Sequence, residues 1–235
     1  MDYRDREKGV LQNHFWFRGK SAFIEILLSR VSNNQNTKIL NVGAGTGEDI
    51  SSISKFGNVY AIDIDAKSLV FIPDYSVVEK KTADACNISY KNNFFDIVVA
   101  FDVIEHVKDD QKMIDEVHRV LKPQGSFIFT APAFNFLFGA HDRALHHHRR
   151  YNKKMVHQLF KNYEQKKLGH WFFFLFFPAV VKRLLSKKGS SSSLQTIPAL
   201  MNNFLFYFLK AENWLINKGI RFPVGLSVYG IYQKR

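Results

Sequence analysis

The chain has 235 residues, 46% of them hydrophobic, which fits one α/β domain with an elaboration. Its single cysteine, Cys86, excludes an intramolecular disulfide and a cysteine-based zinc site. The net charge is +12, and from residue 171 onward nine Lys or Arg residues face one acid, Glu212. This basic excess coincides with the most apolar part of the chain, which favours an anionic membrane surface over nucleic acid as a partner. The N-terminus lacks an apolar run, so no secretory signal is predicted.

Strands and helices are predicted to alternate up to Pro132. Apolar runs predict strands in KILNV, NVYAIDID, SVVEKKTAD, FDIVVAF and SFIFTAP. Between them, EDISSISKF, AKSLVFI and DDQKMIDEVHRVLK are predicted helices, the last with apolar residues at helical spacing. This order predicts an α/β fold built on a doubly wound parallel sheet.

The alternation loosens after Pro132. A loop, AFNFLFGAHDRALHHHRRY, precedes a predicted helix, NKKMVHQLFKNY, for which Asn152 is the expected N-cap. EQKKLGHWF and GLSVYGIYQKR predict the sixth and seventh strands. The resulting division is an N-terminal helical lid over residues 1–36, a sheet domain over 37–171 and 225–235, and a hydrophobic, basic helical insertion over 172–224.

The insertion is predicted to form two amphipathic helices joined by the flexible stretch SKKGSSSSLQTIP. Its first apolar run, WFFFLFFPAVV, has 11 residues, too few for the roughly 18–20 that span a bilayer. Its second run is interrupted by polar residues, namely Asn202, Asn203, Lys210, Glu212 and Asn213. We therefore expect interfacial contact with a membrane or a lipid substrate, with a homodimer interface or a core role as the alternatives.

A glycine-rich motif, GAGTG, follows the first predicted strand and opens a helix. Its spacing is GxGxG, which differs from the GxGxxG of dinucleotide-binding proteins. Glycines at Gly43, Gly45 and Gly47 allow a ligand to approach the backbone closely. The acids that follow, Glu48 and Asp49, would repel a pyrophosphate but tolerate a cation such as a sulfonium.

Two further acids follow the next strands. Asp63 ends the second strand and is placed to accept hydrogen bonds from ribose hydroxyls, and Asp84 after the third strand is placed to reach an adenine edge. The ordered motifs ILNVGAGTGED, YAIDID, TADACNISYKNNFFDIVVAFDVIEHV and VLKPQGSFIFTAP resemble the class I S-adenosylmethionine-dependent methyltransferases over residues 37–132. The resemblance implies a seven-stranded Rossmann-like sheet and S-adenosyl-L-methionine as cofactor. It implies a cofactor site made of Gly43, Ala44, Gly45, Gly47, Asp63, Ile64, Asp84, Ala85 and Asp102.

A second resemblance is narrower. HFWFRGK near the N-terminus, HDRALHHHRRYNKKMVHQLF and FPVGLSV are similar to a bacterial methyltransferase subgroup with an HWWFRG-type N-terminus. That resemblance implies a setting of lipid-linked glycan or polyprenyl chemistry. The sequence departs from the subgroup at His146–His148, where three adjacent histidines leave open which one functions.

The motif DVIEHV offers groups for the methyl acceptor at the carboxyl edge of the sheet. His106 is a candidate catalytic base at neutral pH. The spacing of Asp102, Glu105 and His106 resembles the E-x-x-E-H motif of quinone O-methyltransferases, which holds a divalent ion. Since similar strings occur in metal-free relatives, no metal ligand is assigned and the question stays open.

The motif HDRALHHHRRY follows the fifth strand on the same edge. His147 is predicted as a catalytic base and Tyr151 as a residue that orients the acceptor. His141, Arg149 and Arg150 are predicted to bind the substrate, the two guanidinium groups by holding a phosphate or carboxylate. A solvated basic loop beside a membrane is the alternative.

The aromatic N-terminal motif is predicted to cover the cleft. Trp16 and Phe17 would cover the cofactor cleft, and Arg18 would meet a substrate anion or Glu48, so Trp16 and Arg18 are included among the predicted substrate-binding residues. An N-terminal helix packed on the sheet is the alternative interpretation.

Together these observations predict a methyltransferase that acts on an amphipathic or lipid-linked acceptor, with O-methylation favoured. We expect a cytoplasmic location, peripheral on the inner face of an anionic membrane. One alternative is a soluble small-molecule methyltransferase whose insertion forms a homodimer interface. Another is an inactive, cofactor-binding membrane scaffold. Nucleic acid is not expected as a substrate, because the chain has no N-P-P-Y-type motif.

Overall fold

The fold is organised around a seven-stranded mixed sheet with helices on both faces. The computed structural model describes residues 14–32, 34–185 and 197–235. The strands are β1 (Lys38–Val42), β2 (Asn58–Asp63), β3 (Glu79–Thr82), β4 (Phe95–Phe101), β5 (Leu121–Pro132), β6 (Tyr163–Trp171) and β7 (Ser227–Lys234). Their order is β3-β2-β1-β4-β5-β7-β6, and β7 is antiparallel to both of its neighbours. This confirms the predicted doubly wound, Rossmann-like α/β sheet.

The central strands are buried on both faces because apolar side chains occupy both sets of alternating positions. Leu40 and Val98 belong to one core cluster, whereas their sequence neighbours Ile39 and Ile97 belong to the other. Successive side chains of a strand point to opposite faces, so a continuous apolar run supplies two cores.

Eight α-helices lie within the described residues. They are α1 (Phe15–Leu28), α2 (Ile50–Ile53), α3 (Ala66–Leu69), α4 (Asp110–Val120), α5 (Ala140–Ala144), α6 (Lys153–Leu159), α7 (Phe173–Leu185) and α8 (Ala199–Asn217). Helices α4 and α6 cover one face of the sheet, and α1, α2 and α8 cover the other. Helix α6 begins as predicted, because the Asn152 side chain accepts a hydrogen bond from the Met155 N–H at 2.9 Å.

Two local expectations were wrong. Strand β5 begins at Leu121, which pairs with Phe95, so the PQG stretch lies within the strand, at the register shift that precedes the Ile97–Ser126 pair. The segment after β5 is not a continuous loop either, since it contains the short helix α5. Neither feature changes the topology, but α5 sets the positions of the residues that follow it.

Helix α1 is packed on the sheet. Phe23 stacks on Trp171 at 4.3 Å between ring centroids and meets Tyr229 edge to face. Helix α1 therefore fits the interpretation of an N-terminal helix packed on the sheet. Residues 1–13 of the predicted lid lie outside the described residues.

The insertion leaves β6 as α7 and returns to β7 from α8. Helix α8 is tied to α1, because the Asn213 amide accepts from the Trp171 indole N–H at 2.8 Å and donates to the Gly19 carbonyl at 3.0 Å. A Cβ at Gly19 would lie 2.6 Å from Leu209 Cδ1, so the two helices approach closely there. The predicted flexible stretch between the helices falls on residues 186–196, outside the described part of the chain. Within the described ranges, no helix combines the length and apolar content needed to cross a membrane.

Candidate active site

The candidate site lies at the edge of the sheet where the parallel strands end. The segments after β1, β2, β4 and β5 all begin at this edge, and open α/β sheets bind their ligands there. Strand β6 also ends at this edge, because both Trp171 and Pro132 pair with Ser227. The insertion therefore starts and finishes beside the candidate site.

The glycine loop has the backbone shape that a closely bound ligand requires. Gly43, Gly45 and Gly47 all have positive φ values, of 67°, 53° and 86°. A Cβ at Gly43 would lie 2.5 Å from a Val103 methyl group, whereas a Cβ at Gly45 would meet nothing within 4 Å. The loop is thus packed on one side and open on the other, as the cofactor prediction requires.

Asp63 and its neighbours lie beside this loop. The Asp63 carboxylate accepts hydrogen bonds from the backbone N–H of Gly45 at 2.7 Å and of Asp65 at 2.9 Å. Each carboxylate oxygen can accept a second hydrogen bond, so both remain suited to ribose hydroxyls. The next residue, Ile64, exposes its side chain to solvent at this edge.

Asp84 lies just after β3. One of its carboxylate oxygens accepts from the Cys86 N–H at 2.8 Å, which closes a tight turn, and the side chain is exposed. Ala85 is partly exposed in the same turn. The turn lies at the cofactor edge, as predicted, and its role toward an adenine stays a prediction.

Asp102, at the end of β4, is part of an ionic cluster that the sequence analysis missed. Its backbone has a φ of +58°, and one carboxylate oxygen accepts from the Thr130 hydroxyl at 3.0 Å. The other lies 3.1 Å from the ammonium of Lys20, which is also 3.1 Å from Asp49. Burial alone would lower the pKa of Lys20, but Asp49 and Asp102 outweigh it and hold that pKa above its ordinary value. The lysine is therefore a fixed positive charge at the cofactor loop.

His147 is held by a buried carboxylate. Asp142 lies 3.0 Å from His147 Nδ1, and it also receives the Arg150 guanidinium at 2.7 and 3.0 Å and the Gly139 N–H at 2.8 Å. Burial by itself would raise the pKa of Asp142, but the hydrogen bonds from His147 and Arg150 hold it well below its usual range. An ionised Asp142 can only accept, so Nδ1 of His147 carries a proton and Nε2 is the ring nitrogen left to act on an acceptor.

His106 lies beside His147, with the rings edge to face and their centroids 4.6 Å apart. The His148 N–H donates to the Glu105 carbonyl at 2.8 Å, which joins the loop after β5 to the turn after β4. Burial, followed by the effect of His147, lowers the pKa of His106 to about 4. His106 is therefore neutral at physiological pH but is a weaker base than an ordinary histidine.

Glu105, His106 and His147 form what we name the acid–histidine group. Each offers one ligand atom, and these atoms lie within 4.8 Å of one another, so this is the place among the described residues where a divalent ion would fit. Burial raises the pKa of Glu105 well above its usual range, which favours the protonated carboxyl over the anion. A neutral acid disfavours a bound cation.

Tyr151 does not have the acceptor-orienting position predicted from the sequence. Its side chain is buried, and its hydroxyl contacts the Ile104 carbonyl at 3.0 Å and the Asp110 carboxylate at 2.8 Å. Burial, reinforced by Asp110, raises the pKa of Tyr151 above its ordinary value. Tyr151 therefore anchors the loop after β5 to α4, a position that does not fit the predicted catalytic role.

The two predicted anion-binding arginines are both engaged by carboxylates of the protein. Arg149 lies 2.9 Å from Asp110 and donates to the Lys108 carbonyl, and Arg150 is paired with Asp142. A substrate anion would have to compete with these acids. In contrast, His141 is exposed on α5 and is the predicted substrate contact that stays most open to solvent.

Two residues of the predicted lid, Trp16 and Arg18, contact the insertion. Trp16 stacks on Phe172 with 4.0 Å between ring centroids. The Arg18 guanidinium lies 3.7 Å from the Phe206 ring centroid and donates to Asn203 at 3.4 Å. Arg18 thus meets α8 rather than Glu48, and the N-terminal motif joins α1 to the insertion.

A Rossmann-like sheet with an open glycine loop, an acid ending β2 and an acid ending β4 defines the cofactor site of class I S-adenosylmethionine-dependent methyltransferases. Residues 40–129 match the family model described as a methyltransferase domain, and S-adenosyl-L-methionine is its cofactor.

Known proteins agree with this assignment. A Mycolicibacterium smegmatis protein, described as a probable S-adenosylmethionine-dependent methyltransferase, is 26% identical over 53% of this chain and 48% of its own. The chain spans about half the length of the curated relatives it matches.

The YcgJ protein of Bacillus subtilis has a similar fold, with a TM-score of 0.61 and 14% identity over 91% of this chain and 98% of that one. Phosphoethanolamine N-methyltransferase 2 of Haemonchus contortus, solved with S-adenosyl-L-methionine, has a TM-score of 0.59 and 18% identity over 88% of this chain and 51% of that one. Membership of the HWWFRG-type subgroup stays a prediction.

Proposed function

We propose that this chain methylates a hydroxyl group of an amphipathic or lipid-linked acceptor at an anionic membrane surface. When bound, S-adenosyl-L-methionine supplies a methyl group activated by its sulfonium. The glycine loop and Asp63 would hold the cofactor, and the loops after β4 and β5 would hold the acceptor.

The proposal rests on α8, which buries a charged side chain and exposes large apolar ones. Its polar residue Glu212 is fully buried, with 0% exposure, whereas Leu200 near its other end is 86% exposed. The buried carboxylate accepts hydrogen bonds from the Phe173 and Phe174 N–H groups at the start of α7. Glu212 and Asn213 thus anchor the insertion through their buried side chains. The other side of α8 keeps a surface of large apolar side chains at Leu200, Met201, Phe204, Tyr207, Phe208 and Trp214.

This apolar surface of α8 is accompanied by positive charge. Lys210, Lys218 and Arg221 are exposed on or just after α8, and the only acid beyond residue 171 is the buried Glu212. Exposed aromatic and leucine side chains beside basic residues suit the interface of an anionic bilayer. A homodimer interface would bury the same apolar side chains, but it would bring like charges together.

The insertion is also placed to deliver an acceptor. Phe176 of α7 packs near Phe134 and Phe136, in the loop after β5 that leads to His147. An apolar chain lying on the insertion would therefore reach the candidate site from the membrane side.

His147 is the best-placed base for the reaction. Asp142 fixes its tautomer, so its Nε2 can take the acceptor proton. As the acceptor oxygen bonds to the methyl carbon, the carbon–sulfur bond breaks and the sulfur keeps the electron pair. In-line displacement at an activated carbon depends mainly on alignment, so we expect the base to contribute less than positioning.

Vesicle co-sedimentation of the full chain tests the proposal. We expect salt-sensitive binding to vesicles that contain phosphatidylglycerol and little binding to purely zwitterionic vesicles. Phe204→Glu and Tyr207→Glu should lose this binding, and Tyr75→Glu, at an exposed tyrosine remote from the insertion, should keep it. Equal binding by all variants would contradict the membrane assignment. A dimer would contradict it as well, if the mass doubles with protein concentration and Phe204→Glu restores the monomer.

Turnover is tested separately with labelled cofactor and lipid extracts. His147→Gln should lower methyl incorporation without changing cofactor affinity, and His146→Gln, at an exposed neighbour, is the matched control. Tight cofactor binding with no incorporation into any extract would favour the inactive-scaffold alternative.

A further inference from the structure

Lys20 is a largely buried charged residue that the proposed chemistry does not use. It lies on α1, and its side chain reaches the cofactor edge, where its ammonium is 3.1 Å from both Asp49 and Asp102. Asp49 directly follows the glycine loop, and Asp102 directly follows β4. The lysine therefore joins the N-terminal helix to the two segments that border the cofactor's methionine end.

The ammonium is not saturated by these two acids. A lysine has three N–H donors, and within the described residues its hydrogen-bonding and ionic partners are Asp49 and Asp102. Its side chain is largely buried, with 14% exposure, whereas the Asp102 side chain keeps 36%. Solvent, and so a ligand, can therefore reach the pair beside Asp102.

The charges at this place match those of an amino acid. The methionine end of the cofactor carries a carboxylate and an ammonium on one carbon. Glu48, Asp49 and Asp102 would together repel the carboxylate, and among the described residues Lys20 is a cation placed to offset them. Charge-assisted hydrogen bonds in a largely buried setting are short and strong, so one lysine can decide whether a carboxylate binds.

We propose that Lys20 binds the α-carboxylate of the cofactor's methionine end, with Asp102 beside the α-ammonium. Helix α1 is then part of the cofactor site. This inference depends on S-adenosyl-L-methionine being the cofactor, but not on the acceptor or on membrane binding.

The test is calorimetric binding of two ligands to the full chain, without turnover. S-adenosylhomocysteine has the amino-acid end, and 5′-methylthioadenosine lacks it. We expect Lys20→Gln to weaken S-adenosylhomocysteine about 10- to 100-fold, from the loss of a charge-assisted hydrogen bond, and to leave 5′-methylthioadenosine within about 2-fold. Lys38→Gln is the matched control, since Lys38 lies at the start of β1, at the opposite end of that strand from the glycine loop.

Two further variants keep the result interpretable. Lys20→Arg keeps the charge and should restore part of the affinity for S-adenosylhomocysteine. The double variant Lys20→Met with Asp49→Asn removes one charge of each sign, so it should fold even if Lys20→Gln does not, and it should still lose the preference for S-adenosylhomocysteine.

Equal weakening of both ligands in the double variant would overturn the proposal, because it would assign Lys20 a purely structural role. Unchanged affinity for S-adenosylhomocysteine would overturn it as well. If the unmodified chain binds neither ligand, the cofactor assignment fails first and the proposed function fails with it.

Discussion

Replacing Asp142 with asparagine should both destabilise the protein and slow the reaction. The carboxylate is buried and receives hydrogen bonds from Gly139, His147 and Arg150. Removing one partner of a buried ion pair costs about 3–5 kcal/mol, because the other charge is left unpaired. The Arg150 side chain keeps 13% exposure, so water offsets part of this loss and we expect about 3 kcal/mol.

The destabilisation caused by Asp142→Asn should depend on pH. The pKa of Asp142 is lower in the folded chain than the usual value of about 3.9, so its stabilisation is complete above about pH 4 and is lost as the pH falls further. An asparagine side chain at this position cannot titrate. The difference in unfolding free energy between the two proteins should therefore be largest near neutral pH and should shrink below about pH 4.

Urea unfolding at several pH values measures this difference, with His146→Asn as an exposed control. Turnover of the variant should fall as well, because the substituted side chain no longer fixes the tautomer of His147. An unfolding free energy within about 1 kcal/mol of the unmodified chain at pH 7 would refute the reasoning, as would a difference that stays constant into acid.

The remaining predictions concern the cofactor and the histidines. Asp63→Ala should weaken cofactor binding by about 1–3 kcal/mol in calorimetry, since it removes the acceptor for the ribose hydroxyls; unchanged affinity would disprove the ribose assignment. Gly43→Ala should unfold at lower temperature and lose cofactor affinity, because its φ is +67° and its Cβ would strike Val103, and a melt equal to that of the unmodified chain would contradict this. The ring signals of His106 should stay those of a neutral imidazole down to about pH 5 in an NMR titration, because its pKa is about 4, and a midpoint near 6.5 would be a clear failure. Methyl transfer should survive a chelator, and activity lost with the chelator and restored by a divalent ion would assign the acid–histidine group to a metal.

The parts of the fold that follow from local pattern were predictable. β1 and β4 are mostly apolar because both of their faces are covered, and the glycine loop is marked by residues that tolerate positive φ. The α6 N-cap at Asn152 is likewise a local feature. Each of these signals lies within a few residues of the structure it specifies.

Side-chain partners far apart along the chain were not predictable. Tyr151 has the polar hydroxyl of a site residue, but the path of its loop brings that hydroxyl to Asp110 and Ile104 in the interior. Lys20 lies in the N-terminal motif, but only the packing of α1 on the sheet brings it to Asp102. The directions of these side chains depend on tertiary packing, for which one sequence carries no local signal.

The partners of two polar residues of α8 were not predictable for a related reason. In the sequence, Glu212 and Asn213 only interrupt an apolar run. In the structure both are buried, one at the start of α7 and the other between Trp171 and Gly19. Helical periodicity shows which residues share a face, but it does not show which face is covered.

The insertion leaves and re-enters the sheet at neighbouring positions, and this affects how an insertion with another acceptor preference could replace it. Trp171 and Ser227 are paired across β6 and β7, so the intervening segment starts and ends at adjacent positions. The length of this segment can change at little entropic cost, because each doubling of a flexible loop adds only about 0.6 kcal/mol to the cost of closing it. Because Gly19 fits closely against Leu209, a graft of residues 172–226 alone would leave α1 mismatched. The transplantable unit is therefore α1 together with the insertion, two segments from opposite ends of the chain.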